Sequence, residues 1–599
     1  MSRSRSHPPR PALNLSIGIT GHRPPVLDTE AAAAAAPRLL ELFKALAREA
    51  EGVKSRYPEL FDPAPFRPRL VSPLAEGADQ IAAEAAIETG YALQVILPLP
   101  RDDYRTDFPA AAFARFESLI ERATGVLELP VQPLGRDEGY ALAGRATVAH
   151  CDILVALWDG EPSRGLGGTA DIVALALRRG IPVIHVPIDA AHPVRVLWTS
   201  FGEFIDASMI SAVPAREVSA ALIAEVVNDV LGPPEDPTEA AHLADYLRER
   251  ERLLRPRLEY PLLLATMGVK RMRASAFASA RYAEATRREW APFHASVGGG
   301  RHGVEAPLDA VEQAFGWADR LAQHFAQIYR SGHVLNFTLG ALAVLIALTG
   351  LLFPQIKFWG AVLEAFAIGG FVLNTWVGTK RGWHRRWLEY RQLAERIRPM
   401  RSLKLLGTAA PPPGHGGVGQ PQRWIDWYAR AQWRATGCPA GRILDSHALV
   451  AAIVAEEIKP QMDYHHSSAH QMHQLDHRLH TIGMVLFFLS IIGCFSSIFI
   501  KLLDHHFAEL HGVWFVAFAA GLPALGAAIF GIRMQGDFGA SAERSEITAH
   551  NLARIEAAIE DSAIGLRRQT DLAEAAAATM LSELGDWHQA YAQRRLELP

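Results

Sequence analysis

The chain has 599 residues, 49% of them hydrophobic, and its 60 basic against 64 acidic residues leave a formal charge of -4. That length exceeds what one ordinary core serves, so two or more units are expected, and the near-neutral charge gives no electrostatic reason to expect DNA or RNA as a partner. Cys151, Cys438 and Cys494 stand far apart without CxxC or Cys/His spacing, which argues against a disulfide framework or a structural zinc and fits reduced, cytosol-facing domains.

The opening MSRSRSHPPRPA is basic and proline-rich, and the apolar run after it is short and leads into GHRPP instead of a small-residue cleavage site. Residues 1–12 are therefore expected as a disordered tail without a secretory signal. From 13 to 232, short β-rich runs alternate with amphipathic helical stretches. NLSIGIT precedes a helix over 29–51, PRLVS one over 77–89, LQVILPL one over 108–123 and CDILVALWDG one over 168–179, and IPVIHVPI closes the series. Repeated βα units predict an α/β, doubly wound, Rossmann-like parallel sheet whose ligands sit beyond the carboxyl ends of the strands.

Three of the strand-end loops carry candidate ligand-binding residues. IGITGHRPP ends its strand on Gly21, which lets backbone approach a ligand, with His22 and Arg23 able to face an anion. In SPLAEGADQIAAEAA a strand ends at Ser72 and a helix starts near Gly77, which offers free N–H groups to phosphate and places Glu76 and Asp79 for ribose hydroxyls. Helix capping explains Asp79 equally well. LVALWDGEPSRGLGGTADIVALAL supplies Asp159 and Gly160 after a strand, then Gly165, Gly167, Gly168, Thr169 and Asp171 entering the next helix. Two glycine-rich loops on one sheet edge favour a nucleotide site over a tight turn. No cofactor and no metal is expected.

Residues 233–306 turn charged and irregular, as a connector does. Four apolar stretches follow over 334–353, 358–379, 481–500 and 513–532, each near the twenty residues a bilayer demands, in two pairs with tight connections. A long helix approaches each pair, over 308–332 and 448–480, and another leaves it, over 380–406 and from 537 onward. The region thus reads as a duplicated hairpin, 307–408 and 448–599, around a loop and linker at 409–447. Arg320, Arg330, Lys380, Arg381, Arg385, Arg386, Arg391, Arg478 and Arg533 flank one side of the spans, whereas the short connections carry only Lys357 and Lys501. This asymmetry predicts a multi-pass protein of the inner (plasma) membrane with both termini cytoplasmic.

Within the spans, Glu364 marks a pore or other polar position unless it reaches the interface. Ala517, Gly521, Ala524, Ala528 and Gly531 share one face of the fourth span and predict a close helix-packing seam. His466, His470, His473, His477 and His480 align on one stripe ahead of the third span. With no carboxylate or cysteine to complete a site, a polar seam or an oligomer interface is preferred to zinc.

The stretches GITGHRPP, SPLAEGADQIAAEAA, CDILVALWDG and GGTADIVALALRRGIPVI resemble the SLOG superfamily, the Rossmann-like group that includes the Lonely-Guy nucleotide hydrolases. In those enzymes the glycine motif reads PGGxGTxxE, and its last glutamate serves N-glycosidic cleavage. RGLGGTADI keeps Gly168 and Thr169 but carries Ile172 at the glutamate position, where an isoleucine cannot move a proton. The resemblance therefore implies ligand binding more strongly than hydrolysis. WHRRWLEYRQLAERIR, WIDWYARAQWRATGCPAGRI and QMDYHHSSAHQMHQLDHRLH, together with the paired spans, resemble the SLATT family of two-transmembrane modules found in bacterial conflict systems. The two resemblances imply a ligand-gated, pore-forming or membrane-disrupting effector in antiviral signalling, with a nucleotide-derived small molecule as ligand and a homo-oligomeric assembly. The alternatives are a membrane-tethered nucleotide N-glycosidase and a membrane scaffold with a degenerate SLOG fold.

Overall fold

The computed structural model describes residues 6–132, 135–163, 165–201, 210–412, 422–503, 505–560 and 564–592. In chain order the N-terminal part comprises β1 (Ser16–Gly21), α1 (Thr29–Arg56), β2 (Arg69–Ser72), α2 (Ala78–Glu88), β3 (Ala92–Leu97), α3 (Arg101–Tyr104), α4 (Ala110–Glu121) and β4 (Gly125–Glu128). It continues with α5 (Arg136–His150), β5 (Ile153–Trp158), α6 (Thr169–Arg178), β6 (Val183–Pro187), β7 (Arg195–Leu197), β8 (Ala215–Glu217) and α7 (Ala220–Leu231). β1 pairs in parallel with β2 on one side and β5 on the other, with Gly18 opposite Val71 and Leu154. All six residues of β5, ILVALW, are buried, which is what a central strand covered on both faces requires.

The remainder is mostly helical: α8 (Pro237–Leu247), α9 (Glu259–Thr266), α10 (Tyr282–Ser296), α11 (Asp309–Leu352), α12 (Lys357–Lys380), α13 (Trp383–Ile397) and α14 (Met400–Leu406), then α15 (Trp424–Thr436), α16 (Ser446–Ile453), α17 (Lys459–Leu503), α18 (His505–Gly536), α19 (Phe538–Ile559) and α20 (Leu566–Ala592). Two short strands, β9 (Val304–Glu305) and β10 (Ala440–Arg442), join the sheet, which among the described residues runs β8-β7-β6-β5-β1-β2-β3-β4-β10-β9. β10 is parallel to β4, and β9 antiparallel to β10.

Four of the described helices are long and apolar enough to cross a membrane. α11, 44 residues, and α17, 45 residues, are each about 65 Å long at 1.5 Å per residue, roughly twice a hydrocarbon core. The first half of α11 carries Phe315, Trp317, Leu321 and Phe325 into the main core, and its second half is apolar but largely uncovered. The two hairpins are built alike. A long helix is followed by a return helix, then by one residue in the left-handed region, and then by a helix that folds back along the first. The left-handed residue is Gly382 (φ 60°) after α12 and Asp537 (φ 48°) after α18, and both residue types tolerate that region better than most.

Two stretches differ from expectation. Residues 6–12 are not a free tail, because Pro8, Pro9 and Pro11 are buried, the Pro9 carbonyl accepts from the Tyr428 hydroxyl at 2.5 Å and the Pro11 carbonyl from the Asp62 amide at 2.9 Å. Proline has no N–H to satisfy, so a proline-rich segment can be buried once its carbonyls find donors. Nor are residues 409–447 only a loop and linker. They supply α15, whose Trp424, Trp427 and Tyr428 are fully buried, with Trp427 donating to the Leu231 carbonyl at 3.0 Å and Trp433 to the Ala149 carbonyl at 3.1 Å. The aromatic spacing of WIDWYARAQW thus serves docking of the helical part onto the sheet unit, and the two share one continuous core.

Candidate functional site

From β1 the chain runs outward through β2, β3 and β4, then crosses back to β5 on the other side of β1. The switch point therefore lies at the carboxyl ends of β1 and β5, where doubly wound sheets leave a crevice. His22 follows β1 and Asp159 follows β5, and they meet there, His22 Nε2 lying 2.9 Å from Asp159 Oδ1. The His22 amide also donates to the Leu157 carbonyl at 3.1 Å.

The glycines of this edge divide by what surrounds them. A Cβ on Gly21 would lie 2.5 Å from Ala78 Cβ and 2.6 Å from the Leu157 oxygen, so this glycine lets α2 sit against the sheet. Gly77, at φ 93°, would place a Cβ 2.7 Å from the His22 oxygen, and the same oxygen accepts from the Ala78 amide at 3.2 Å. The first two loops therefore close on each other, backbone to backbone. Gly167, at φ 75°, lies against Ala141 of α5, its amide donating to Asp171 Oδ2 at 3.2 Å. Gly168 caps α6 in ordinary extended geometry with Ser163 Oγ beside it, Thr169 is half-buried, and Gly160 (φ 87°) projects into open space.

Ser72 is buried and its hydroxyl accepts from the Leu74 amide at 3.0 Å, which steadies Leu74 in the left-handed region at φ 57°. Asp79 is buried in the first turn of α2, and its Oδ2 accepts from the Ala75 amide at 3.2 Å, so it closes its own loop. Burial pushes its carboxyl up to about 7, partly offset by that amide and by the Arg23 charge. Glu76 is half-buried and Asp171 exposed. Ile172 is buried over Gly144 of α5, where a Cβ would collide with its side chain, so the position holds α6 against α5.

Sequence reasoning missed α5 and named no site residue in the segment after β3, and these complete the edge. Arg23 stacks 4.8 Å over the Tyr140 ring, Tyr140 donates to Asp107, and Arg136 pairs with the same carboxylate. Tyr104 is fully buried, its hydroxyl has no hydrogen-bond partner among the described residues, and its ionisation responds to Arg23, Asp79, Asp107 and Arg136. Burial raises its pKa and keeps the hydroxyl neutral. Two arginines and two carboxylates, Arg23, Arg136, Asp79 and Asp107, thus surround a neutral buried hydroxyl at this edge. The only sequence signals were the polar runs RDDYRTD and RDEGY at strand and helix ends.

The remaining candidates lie outside the sheet unit, on α12, α17 and α18. Glu364 is half-buried in α12, seven residues or about 10 Å from Lys357, and has no hydrogen-bond partner among the described residues. On α18, Ala517 is buried, Ala524 and Ala528 are half-buried, Gly521 faces Leu345 and Leu348 of α11, and Gly531 faces Phe337. His466, His470, His473, His477 and His480 are all exposed on α17, with His473 Nε2 3.2 Å from Glu546 Oε1 of α19, whereas His465, Ala469, Leu475 and Leu479 of the same helix are buried. No group of three metal-ligating side chains occurs among the described residues. Comparison with protein-family models, with curated proteins and with solved structures finds nothing that matches this chain.

Proposed function

We propose that this is a ligand-gated membrane effector in which the sheet crevice binds a nucleotide-derived anion and biases the packing of two transmembrane hairpins. The observation that carries the reading is the position of α20. It packs against α13 and α19, the helices that leave the two hairpins, and its Glu574 is bonded to Arg145 in the second half of α5 and to Arg179 at the C-terminal end of α6. A ligand that shifts α6 thus has a mechanical route to both hairpins, provided it binds one arrangement better than the other.

The apolar helices support the membrane reading, because Phe358, Phe366, Leu502 and Leu503 are 71%, 74%, 80% and 70% exposed, a surface that water does not tolerate over two hairpins. Trp359 and Trp514 lie towards the hairpin tips, and Trp376, under Lys380, towards the other end, as interfacial anchors do. The basic flanks put both termini in the cytoplasm of a plasma membrane. The SLOG and SLATT resemblances supply the setting, conflict signalling, and a homo-oligomer is needed because four helices seldom enclose a pore. Ile172, spent on packing, weighs against N-glycosidase chemistry.

Full-length protein in dye-loaded vesicles, screened against a nucleotide library, tests the proposal. Release with at least one nucleotide that also raises the thermal stability of the protein supports it. Stabilisation without release, or with turnover of the nucleotide, removes the effector reading.

A further inference from the structure

Outside the crevice, a cavity of about 350 Å³ opens beside α9 and α11. Five cations line it, Arg255, Lys270, Arg271, Arg273 and Arg330, and none of its lining residues is acidic. Arg255 donates through Nη1 to the Ser275 carbonyl and through Nη2 to Gln323 Oε1, both at 3.2 Å, while its Nε is buried with no hydrogen-bond partner among the described residues. The Arg330 guanidinium is held between aromatic faces, 5.4 Å from the Tyr260 ring and 5.1 Å from that of Trp387. Lys270, Arg271 and Arg273 are exposed and form no ion pair among the described residues. Five positive charges around one space repel one another, and a bound phosphate relieves that repulsion while matching the guanidinium fork.

The location says where such a phosphate comes from. Tyr260 and Leu264 of α9 are buried with Val334, Leu475, Leu479, Ile532 and Phe538, which mark the ends of the apolar stretches of α11, α17 and α18, and Arg478 donates to the Met267 carbonyl. The KRMR turn therefore sits at the level where the apolar helices begin. Around it Leu254, Leu262, Met272 and Phe277 are exposed. Large apolar side chains interleaved with arginine and lysine suit a segment lying in a headgroup layer.

We propose that this cavity binds the phosphate of an anionic lipid headgroup, with Leu262, Met272 and Phe277 entering the acyl boundary beside it. The proposal rests on the transmembrane reading above. A soluble phosphate ester offers the same chemistry to the five cations but has no use for the apolar rim.

The test uses full-length protein in neutral detergent, titrated with phosphatidylglycerol, phosphatidylcholine or glycerol phosphate and read by native mass spectrometry. Wild type should prefer phosphatidylglycerol to phosphatidylcholine by at least about tenfold, and added salt should reduce the preference. Lys270→Ala/Arg271→Ala/Arg273→Ala, all at exposed positions, should weaken phosphatidylglycerol binding by about a hundredfold at an unchanged Tm. Met272→Ser/Phe277→Ser should weaken the lipid and spare glycerol phosphate. Equal binding of the two lipids by wild type, or an undiminished preference in the triple variant, overturns the site. Glycerol phosphate binding as tightly as phosphatidylglycerol, with no effect of the serine variant, overturns the lipid as its source. Carbonate extraction of membranes separates the two readings, since a chain that stays in the pellet while showing no lipid preference loses only this site, whereas a released chain loses the transmembrane reading.

Discussion

Arg179 Nη2 lies 2.8 and 3.1 Å from the two carboxylate oxygens of Glu574, so the end of α6 is clamped to α20. Arg145 Nη2 of α5 reaches the same carboxylate at 2.9 Å, and the Ala410 amide donates to it at 2.8 Å. One acidic side chain thus gathers two helices of the sheet unit, a chain crossing and the C-terminal helix. Glu574→Ala takes from the partly buried Arg179 its carboxylate and leaves Arg145 with Asp571 alone, which costs about 2 kcal/mol. Thermal unfolding should show that loss, nucleotide affinity should be unchanged, and ligand-induced dye release should fall at least about tenfold. Wild-type release from this variant would mean that α20 does not carry the signal.

Gly21 and Gly168 should respond oppositely to the same substitution. Gly21→Val drives a branched side chain into Ala78 and the Leu157 carbonyl, which costs about 3 kcal/mol or more and should abolish soluble expression. Gly168→Val meets the movable Ser163 side chain and, at 3.2 Å, the Gly165 carbonyl, so it should lower stability by about 1 kcal/mol and remove ligand binding from a folded protein. Normal affinity in folded Gly168→Val would place the ligand elsewhere.

Asp79 links this edge to pH. Its carboxyl is raised from the ordinary 3.8 to about 7 by burial, so between those values the folded state binds the proton that the unfolded state has lost. Its contribution to stability is complete below about 4, declines as pH rises to about 7, and is constant above. Asp79→Asn keeps an acceptor for the Ala75 amide and removes the charge. Its Tm advantage over wild type should grow from pH 4 to 7 and level off by pH 8, and a pH-independent difference would contradict the assignment.

Lys404 gives the opposite slope in a higher window. It is buried 3.6 Å from the Trp433 ring centroid, with Nζ donating to the Gly437 carbonyl at 2.6 Å and lying 3.1 Å from His150 Nδ1, and burial lowers its ammonium from 10.5 to about 7. Between 7 and 10.5 the unfolded state binds more protons, so stability should rise with pH across that interval. Lys404→Met fills the same space without a charge. Its unfolding curve should lose that rise, and retention of the wild-type slope would assign the titration to another group.

Gly521 sits 3.3 Å, measured from a Cβ built on it, from Leu345 of α11, so Gly521→Leu should push the two hairpins apart and change vesicle leakage or assembly. Glu364→Leu should alter conductance while nucleotide affinity stays at the wild-type value, because the crevice and α12 share no residue. Unaltered leakage from Glu364→Leu would move that side chain to the interface.

The strands β1, β2, β3, β5 and β6 and the four apolar helices were legible because each is written as a local run, a buried β-rich segment or some twenty apolar residues, whose period or length is set within the segment itself. β9 and β10 were not, since two or three residues pair at a sheet edge through backbone groups that nearly any sequence supplies. α5 escaped because its alanines and glycines give little amphipathic contrast. The glycines were visible, but what fills the space beside them was not: Gly21 and Gly77 are occupied by α2 and by the His22 carbonyl, and only folding shows it. Sequence likewise marked His22 and Asp159 separately, whereas their contact at 2.9 Å depends on β1 and β5 lying side by side. Tyr104, Tyr140 and Arg136 joined that edge, and Glu574 joined α6 to the hairpins, through contacts between residues far apart in the chain, where no local pattern records which side chains will meet.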